Sequence, residues 1–505
     1  MFRIFGPPGT GKTTTLLNMV DKALEDGVEP TRIAFLAFTR KAANEAKERA
    51  AKRFNLDPAK DLVFFRTLHS LALTMTDIRA EQVMQDENYR EFSTTIGIEL
   101  GSQKKVSLED DISTIVESND PILGLINLAR LRKVPLRQQY DLSDINFNWL
   151  TVNYVDQCLR EYKESQGLFD FTDMLEHFAS NDARFCPKFE LCFLDEAQDL
   201  SPLQWDIAHL LDRRSNKMYC AGDDDQAIYR WAGADVDHFI NLPGGSETLS
   251  KSYRVPWRIH EVAESIVNRI DRRFPKRYEP RDEAGNVMRV ADVNSLDMAT
   301  GEWLILSQAA YQLLPITNDL KSNGYLFSYR GRRSISEKIS EAVNGWEQLR
   351  RGRQVSGTVA RIIYGYMSTG ARLVRGYKKL SALDDDDLVT LDELIEHHGL
   401  LATSDMIWSE AMDKLPITDR AYVTALLRRG EKFNGRPRIT ASTIHGSKGG
   451  EADNVVLLTD LSTAADIQFQ QNPDDTHRVF YVGVTRAKQN LYIVDAEDVS
   501  RSYDL

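Results

Sequence analysis

Apolar residues fall along this chain in two patterns, short dense runs and stretches at helical spacing. Dense runs, most with no more than one polar position, occupy residues 2–5, 32–38, 189–194 and 217–221, then 303–306, 439–443, 455–458 and 491–494. Such runs, bounded by turn residues, are what strands covered on both faces produce. The segments between them read as helices, and strand alternating with helix predicts a doubly wound parallel sheet. Two intervals lack the strand signal. Ile122, Leu125, Ile126, Leu128, Ala129 and Leu131 repeat at helical spacing, as do Trp149, Val152, Val155, Leu159 and Tyr162. The fold class expected is therefore α/β, with two sheet domains that each carry a mainly helical insertion. Residues 1–73 with 170–248 form the first domain and 74–169 its insertion. Residues 249–344 with 436–505 form the second, and 345–435 a reduced insertion.

Composition narrows the class. At 505 residues the chain exceeds what one core usually serves, and 42% hydrophobic with 27% charged residues is ordinary for a globular protein. No window approaches the ~18 apolar residues of a membrane span. The run after Met1 holds Arg3 and passes straight into a glycine-rich turn, so no signal peptide is read and a cytoplasmic location is expected. Four cysteines without a C-x-x-C pair suggest buried thiols, neither zinc nor a disulfide framework. The net charge of -12 argues against a charge-driven nucleic-acid binder, though a local basic and aromatic track would suffice for a translocating enzyme. The acidic run 384–387 and the pairs Arg350-Arg351 and Arg428-Arg429 read most simply as solvated faces.

The chemistry begins at Gly6-Pro7-Pro8-Gly9-Thr10-Gly11-Lys12-Thr13, which fits G-x-x-x-x-G-K-[ST]. Glycines let successive backbone N–H groups face phosphate oxygens, and the following helix adds its positive end. Lys12 would reach the β- and γ-phosphates and Thr13 would hold Mg²⁺. Downstream, the run 189–194 ends in Asp195-Glu196-Ala197-Gln198-Asp199. An acidic pair at a buried strand end supplies one carboxylate for the metal, Asp195, and one to orient the attacking water, Glu196. The run 217–221 opens into Gly222-Asp223-Asp224-Asp225-Gln226-Ala227-Ile228-Tyr229-Arg230-Trp231, a polar stretch that turns aromatic and could meet phosphate at one end and bases at the other. His69, beside a strand, is as well explained by a structural role as by a functional one.

Together with AFTRKAANEAKER, FRTLHSLA, DFTDML, LSKSYR, TIHGSKGGEADNVVL and RVFYVGVTRAKQNLYIV, these motifs stand in one collinear order along the whole chain. In that order the sequence resembles the UvrD/Rep/PcrA family of superfamily-one 3′-to-5′ DNA helicases. The resemblance implies two RecA-like P-loop NTPase domains with ATP and Mg²⁺ between them, and single-stranded DNA and single-strand/duplex junctions as partners. It implies no membrane, possible replication or repair proteins as further partners, and a monomer or weak oligomer. Gln226 matches the γ-phosphate sensor, and Arg254 and Arg486 match the two arginines that reach that phosphate from the second domain. Gly6, Pro7, Gly9, Thr10, Gly11, Lys12, Thr13 and Thr14 form the nucleotide-binding loop, Tyr253 matches the ring that stacks on adenine, and Glu451 a residue near the sugar. Phe38, Tyr229 and Trp231 match aromatics that stack on or buttress bases, while Thr39, His69, Thr443 and His445 lie in motifs lining the strand groove.

Three departures qualify the resemblance. Relatives carry an adenine-reading glutamine before the loop, whereas this chain has five residues there, and Thr14 stands in place of an arginine against the base. Base recognition is then expected to rest on Tyr253, with weakened preference for ATP over other purine triphosphates. Leu306-Ser307-Gln308-Ala309 lacks an arginine usual at that place, and the second insertion is shorter than in relatives, where it gates unwinding and contacts duplex. Two rivals are a translocase that strips proteins from DNA without unwinding and, in another class, an ATP-gated DNA clamp with little turnover. The full set Lys12, Asp195, Glu196, Gln226, Arg254 and Arg486 disfavours the clamp, since a switch could dispense with fingers and base.

Overall fold

The computed structural model describes residues 1–37, 40–101, 120–180, 186–432 and 435–505, with the side chains of 40–42 left out. Contacts divide the chain into two units, Met1–Gly285 with Ile467–Thr485, and Asn286–Asp466 with Arg486–Leu505.

In the first unit, strands β1 (Phe2–Phe5), β2 (Ile33–Ala37), β3 (Phe65–Thr67), β4 (Phe189–Leu194), β5 (Ser215–Gly222) and β6 (Ser246–Thr248) form a parallel sheet in the order β3-β2-β4-β5-β1-β6. β2 is buried along its whole length, as its unbroken apolar run requires. Placing β1 between β5 and β6, with β4 next to β5, brings the turns after β1, β4 and β5 to one edge. That carboxyl edge is where a doubly wound sheet collects ligands. The helix Pro202–Arg213 starts there on a capping box, in which the Gln204 amide N–H donates to Ser201 Oγ while the Ser201 N–H donates to Gln204 Oε1. The insertion folds as helices around its own core of Phe92, Ile122, Leu123, Val152, Val155 and Leu159. Its longest described helix, Trp149–Gln166, runs from an Asn148 cap to a left-handed Gly167. β7 (Lys251–Pro256) and β8 (Glu279–Arg281) pair separately in this unit.

The second unit holds β9 (Asn286–Val290), β10 (Trp303–Ser307), β11 (Phe327–Tyr329), β12 (Arg332–Arg333), the small pair β13 (Val355–Ser356) and β14 (Leu388–Val389), and β15 (Ile439–Thr443), β16 (Ala452–Leu458) and β17 (Ala487–Val494). Its main sheet runs β12-β11-β15-β10-β16-β17-β9, parallel apart from the β11–β12 pair. The described part of the region 345–435 consists of short helices, among them Gly357–Gly365, Leu391–His397 and Ile417–Arg429, joined by turns and the pair β13–β14, and it does not fold away from the sheet. Trp346, Ile363, Tyr364 and Leu394 share one apolar core with Ile305, Phe327 and Ile439 of the strands.

This division differs from the expected one. Residues 249–285, expected with the second domain, cluster with the first, as does the helix Pro473–Val484. The physical tie is buried charge. Lys276, 1% exposed, lies 3.0, 2.6 and 2.6 Å from the carboxylates of Asp223, Asp224 and Asp225, and Arg273 makes a two-pronged pair with Asp225 at 2.8 and 2.7 Å. Burial opposes the charge on Lys276, but the three aspartates outweigh it and hold its pKa above the usual lysine range. Arg478 Nε from the late helix donates to the Asp224 carbonyl at 2.9 Å, and Phe274 stacks on Phe5 at 3.9 Å. Removing Lys276 or Arg273 would leave buried carboxylates uncompensated, so the segments are tied to the strand end that carries Gln226.

Candidate nucleotide and strand site

β1 feeds the loop 6–11 directly. Gly9 and Gly11 hold φ of 72 and 79°, a conformation that costs a residue with Cβ, and so the chain turns from strand into the helix Lys12–Glu25 within one loop. Thr10 Oγ1 closes the loop by donating to the Pro7 carbonyl at 2.8 Å. The Lys12 side chain folds back across Gly6, where an added Cβ would meet Lys12 Cγ at 2.4 Å. Its ammonium ends 3.1 Å from Glu196 Oε1. Burial works against charge there, but Glu196, Asp195 and Asp223 together hold the Lys12 pKa above its ordinary value.

Thr13 Oγ1 donates to Asp195 Oδ2 at 2.7 Å. A hydroxyl and a carboxylate meeting beside a phosphate loop are oxygen donors of the kind Mg²⁺ takes. Asp195 is buried, and burial together with the adjacent Glu196 carboxylate pushes its pKa up to about 6 against the pull of Lys12 and Thr13. Glu196 adopts a left-handed φ of 54°, and its N–H donates to Asp195 Oδ1 at 2.9 Å, which turns the two carboxylates apart. Gln226 Nε2 donates to Asp223 Oδ2 at 2.6 Å, so the proposed sensor is held at the adjacent strand end.

Ser252 to Arg254 lie against the same loop. Ser252 Oγ donates to the Pro8 carbonyl at 2.7 Å, and the Tyr253 N–H donates to the Gly9 carbonyl at 2.8 Å. A Cβ on Gly9 would sit 2.3 Å from Arg254 Cβ, so the glycine is needed for this approach as well as for the turn. Tyr253 carries a ring 72% exposed beside the loop, as a base-stacking residue requires. Thr14 is exposed on the first turn of the helix.

Trp231 is 40% exposed and lies edge-on to the half-buried Tyr229, with ring centroids 6.3 Å apart. The turn that presents it is fixed from two sides. Arg132 donates to the Arg230 carbonyl at 2.8 Å, and Arg230 pairs with Asp475 at 3.3 Å. Neither Arg132 nor Asp475 stands in a motif that points to this role. Gln198, Asp223 and Lys276 carry no such signal either, since only the folded chain joins Gln198 to Glu196 and Asp223, and Asp223 to Gln226 and Lys276.

The first unit thus brings together Lys12, Thr13, Asp195, Glu196, Gln226, Tyr253 and Arg254. Arg254, expected from the second domain, belongs to the unit that holds the loop. Arg486, Glu451, Thr443 and His445 belong to the second unit. There Thr443 Oγ1 accepts from the Gly446 N–H at 3.1 Å in the turn that carries His445, Glu451 lies 4.0 Å from Lys488, and buried Arg486 donates to the Gly450 carbonyl at 3.3 Å. Phe38 and Thr39 lie outside the described residues.

His69 differs from the expectation of a groove residue. It follows the Thr67 cap on the helix Leu68–Met75, is 3% exposed and meets Phe171 edge-on at 6.5 Å. Burial pushes its pKa down to about 4. Below about pH 6.5 the unfolded chain takes up a proton that the folded ring refuses. Its contribution is therefore complete above that pH and is lost as pH falls toward about 4, by up to about 3 kcal/mol. His69→Gln is expected to flatten the acid limb of stability, measured as urea midpoints of both proteins across that window. Equal acid limbs would show that the ring is protonated in the folded chain.

Among the described residues no helix is long and apolar enough to cross a membrane. The UvrD/REP helicase N-terminal domain matches residues 2–244, and the UvrD-like helicase C-terminal domain matches residues 438–494. The ATP-dependent DNA helicase PcrA of Leuconostoc citreum is 30% identical to this chain over 98% of it and 79% of the relative. The protein of the same name from Bacillus subtilis is 23% identical over 97% of this chain and 80% of the relative. With its RecA-like fold, its phosphate loop and its acidic strand end in this arrangement, the chain belongs to the UvrD/Rep helicase family.

Proposed function

We propose that this chain is an ATP-hydrolysing DNA helicase that steps 3′-to-5′ along single-stranded DNA and separates strands as it moves. Lys12 and the loop amides hold the phosphates, Thr13 and Asp195 hold Mg²⁺, and Glu196 orients the attacking water. The metal supplies charge neutralisation when bound. Gln226 senses the γ-phosphate, Arg254 and Arg486 stabilise charge on it, and Tyr253 stacks on the base, with Glu451 near the sugar. Phe38, Tyr229 and Trp231 stack on or buttress bases, and Thr39, Thr443 and His445 contact the strand.

The observation that carries this reading is continuity: the turn that follows β5 ends in Gln226, and within five residues the same segment presents an exposed indole. A phosphate contact and a base contact on one rigid segment let hydrolysis and grip bias each other. Direction is supported by the family resemblance alone. The test is ATPase activity with and without single-stranded DNA, followed by unwinding of duplexes tailed at either end. DNA-stimulated turnover with unwinding from a 3′ tail is expected. Turnover without unwinding points to a translocase that strips proteins, and no stimulation overturns the reading. Trp231→Ala is expected to weaken strand binding by about 1–3 kcal/mol and to waste ATP during movement. Unchanged affinity in fluorescence titration with a labelled oligonucleotide would remove Trp231 from the base contacts.

A further inference from the structure

We propose that Gln198 is a positioning residue that yokes the base Glu196 to the phosphate-sensing turn at Asp223 and Gln226. The assignment rests on the function proposed above and adds a residue to it. Gln198 follows Glu196 by two positions in the turn Ala197–Asp199 and is 0% exposed. Its Nε2 donates to Glu196 Oε2 at 2.5 Å and to Asp199 Oδ2 at 3.2 Å, while its Oε1 accepts from the Asp223 N–H at 2.9 Å. Asp223 in turn accepts from Gln226 Nε2, and Glu196 Oε1 faces Lys12. One amide therefore joins two neighbouring strand ends, and the connection runs from Lys12 through Glu196, Gln198 and Asp223 to Gln226.

Only a neutral group that both donates and accepts fits this position. A carboxylate would face the Glu196 and Asp199 carboxylates, and a flipped amide would set oxygen against them and N–H₂ against the Asp223 N–H. Leucine would fill the space but leave the Asp223 N–H without its acceptor. The sheet makes room for the amide, because a Cβ on Gly222 would lie 2.5 Å from Gln198 Oε1. Gly222 is outside the left-handed region, so alanine is allowed there by the backbone, and its Cβ would press on this oxygen first and on Phe239 Cζ, at 2.9 Å, second. Holding one carboxylate oxygen of Glu196 fixes where the other points. When Gln226 exchanges Asp223 for phosphate, Asp223 Oδ2 loses that hydrogen bond while Oδ1 stays on Lys276, and Gln198, bonded to the Asp223 N–H, carries the shift to the base.

The test uses the full chain with saturating single-stranded DNA. Gln198→Leu and Gly222→Ala are each expected to lower kcat about 10- to 100-fold. Affinity for a fluorescent ATP analogue should stay within about twofold, because the phosphate-holding loop is untouched. Gln198→Glu provides a signature that space-filling would not. When protonated, its carboxylic acid again donates to Glu196 and accepts from the Asp223 N–H. Its kcat relative to the parent should rise as pH falls from about 8 to about 6. A flat ratio, or a Gln198→Leu kcat within about twofold of the parent, overturns the assignment. Loss of nucleotide binding together with turnover in both Gln198→Leu and Gly222→Ala marks a merely structural role and overturns it too. Failure of the parent chain to hydrolyse ATP, or full activity of Glu196→Gln, overturns the proposed function instead.

Discussion

Glu196→Gln is expected to lower DNA-stimulated kcat by about 10²–10⁴ while nucleotide stays bound. The carboxylate does two jobs that glutamine separates. Without nucleotide, Oε1 holds the Lys12 ammonium at 3.1 Å, so Lys12 reaches the phosphates only by giving up that pair. Once it does, the released oxygen can accept a proton from the attacking water, which a neutral amide cannot. The substitution therefore removes both the proton acceptor and the competitor for Lys12. Affinity for ATP is expected to hold or to rise, whereas Lys12→Ala should lose turnover and weaken nucleotide binding together. Steady-state turnover and titration with a fluorescent ATP analogue measure the two effects separately. Near-parental turnover in Glu196→Gln would assign the proton acceptor to another group.

Much of this site could be read from the chain because it is built from strand ends. The runs at β2 and β4 are apolar but for Glu190, and each stops just before residues assigned to the chemistry. Edges were harder to read. β6 is three residues with polar exposed positions, and β9 has no buried residue, so neither leaves an apolar run to find. The boundary between units was hidden for a different reason. Asp223, Asp224 and Asp225 read as a polar loop, and Lys276 and Arg478 as scattered charge, until burial brings them together and ties residues 249–285 and the late helix to the first unit. A pair of opposite charges distant in sequence has no periodicity. His69 shows the converse limit, since its motif suggests a groove while its 3% exposure comes from packing against Phe171.

Arg254→Ala is expected to reduce kcat by about 10³–10⁵, the range for an arginine that stabilises charge in phosphoryl transfer. The position of its backbone gives the reason. Arg254 Cβ lies where any side chain on Gly9 would collide, and the hydrogen bonds from Ser252 and Tyr253 to the loop carbonyls keep it there. A guanidinium on β7, whose backbone packs against the loop, would need no domain movement to reach phosphates held there. Lysine at this place keeps the charge but loses the planar fork, so Arg254→Lys should recover only a small part of the rate. Arg486 is different in kind. It is 2% exposed and donates to the Gly450 carbonyl at 3.3 Å, so Arg486→Ala removes packing and a buried hydrogen bond as well as a charge. Arg486→Ala should therefore lower both kcat and the melting temperature, whereas Arg254→Ala should lower kcat alone. Single-turnover hydrolysis rates beside thermal melts separate the two. Turnover within about tenfold of the parent in Arg254→Ala would leave Arg254 as part of the loop's scaffold and pass the charge-stabilising role to Arg486.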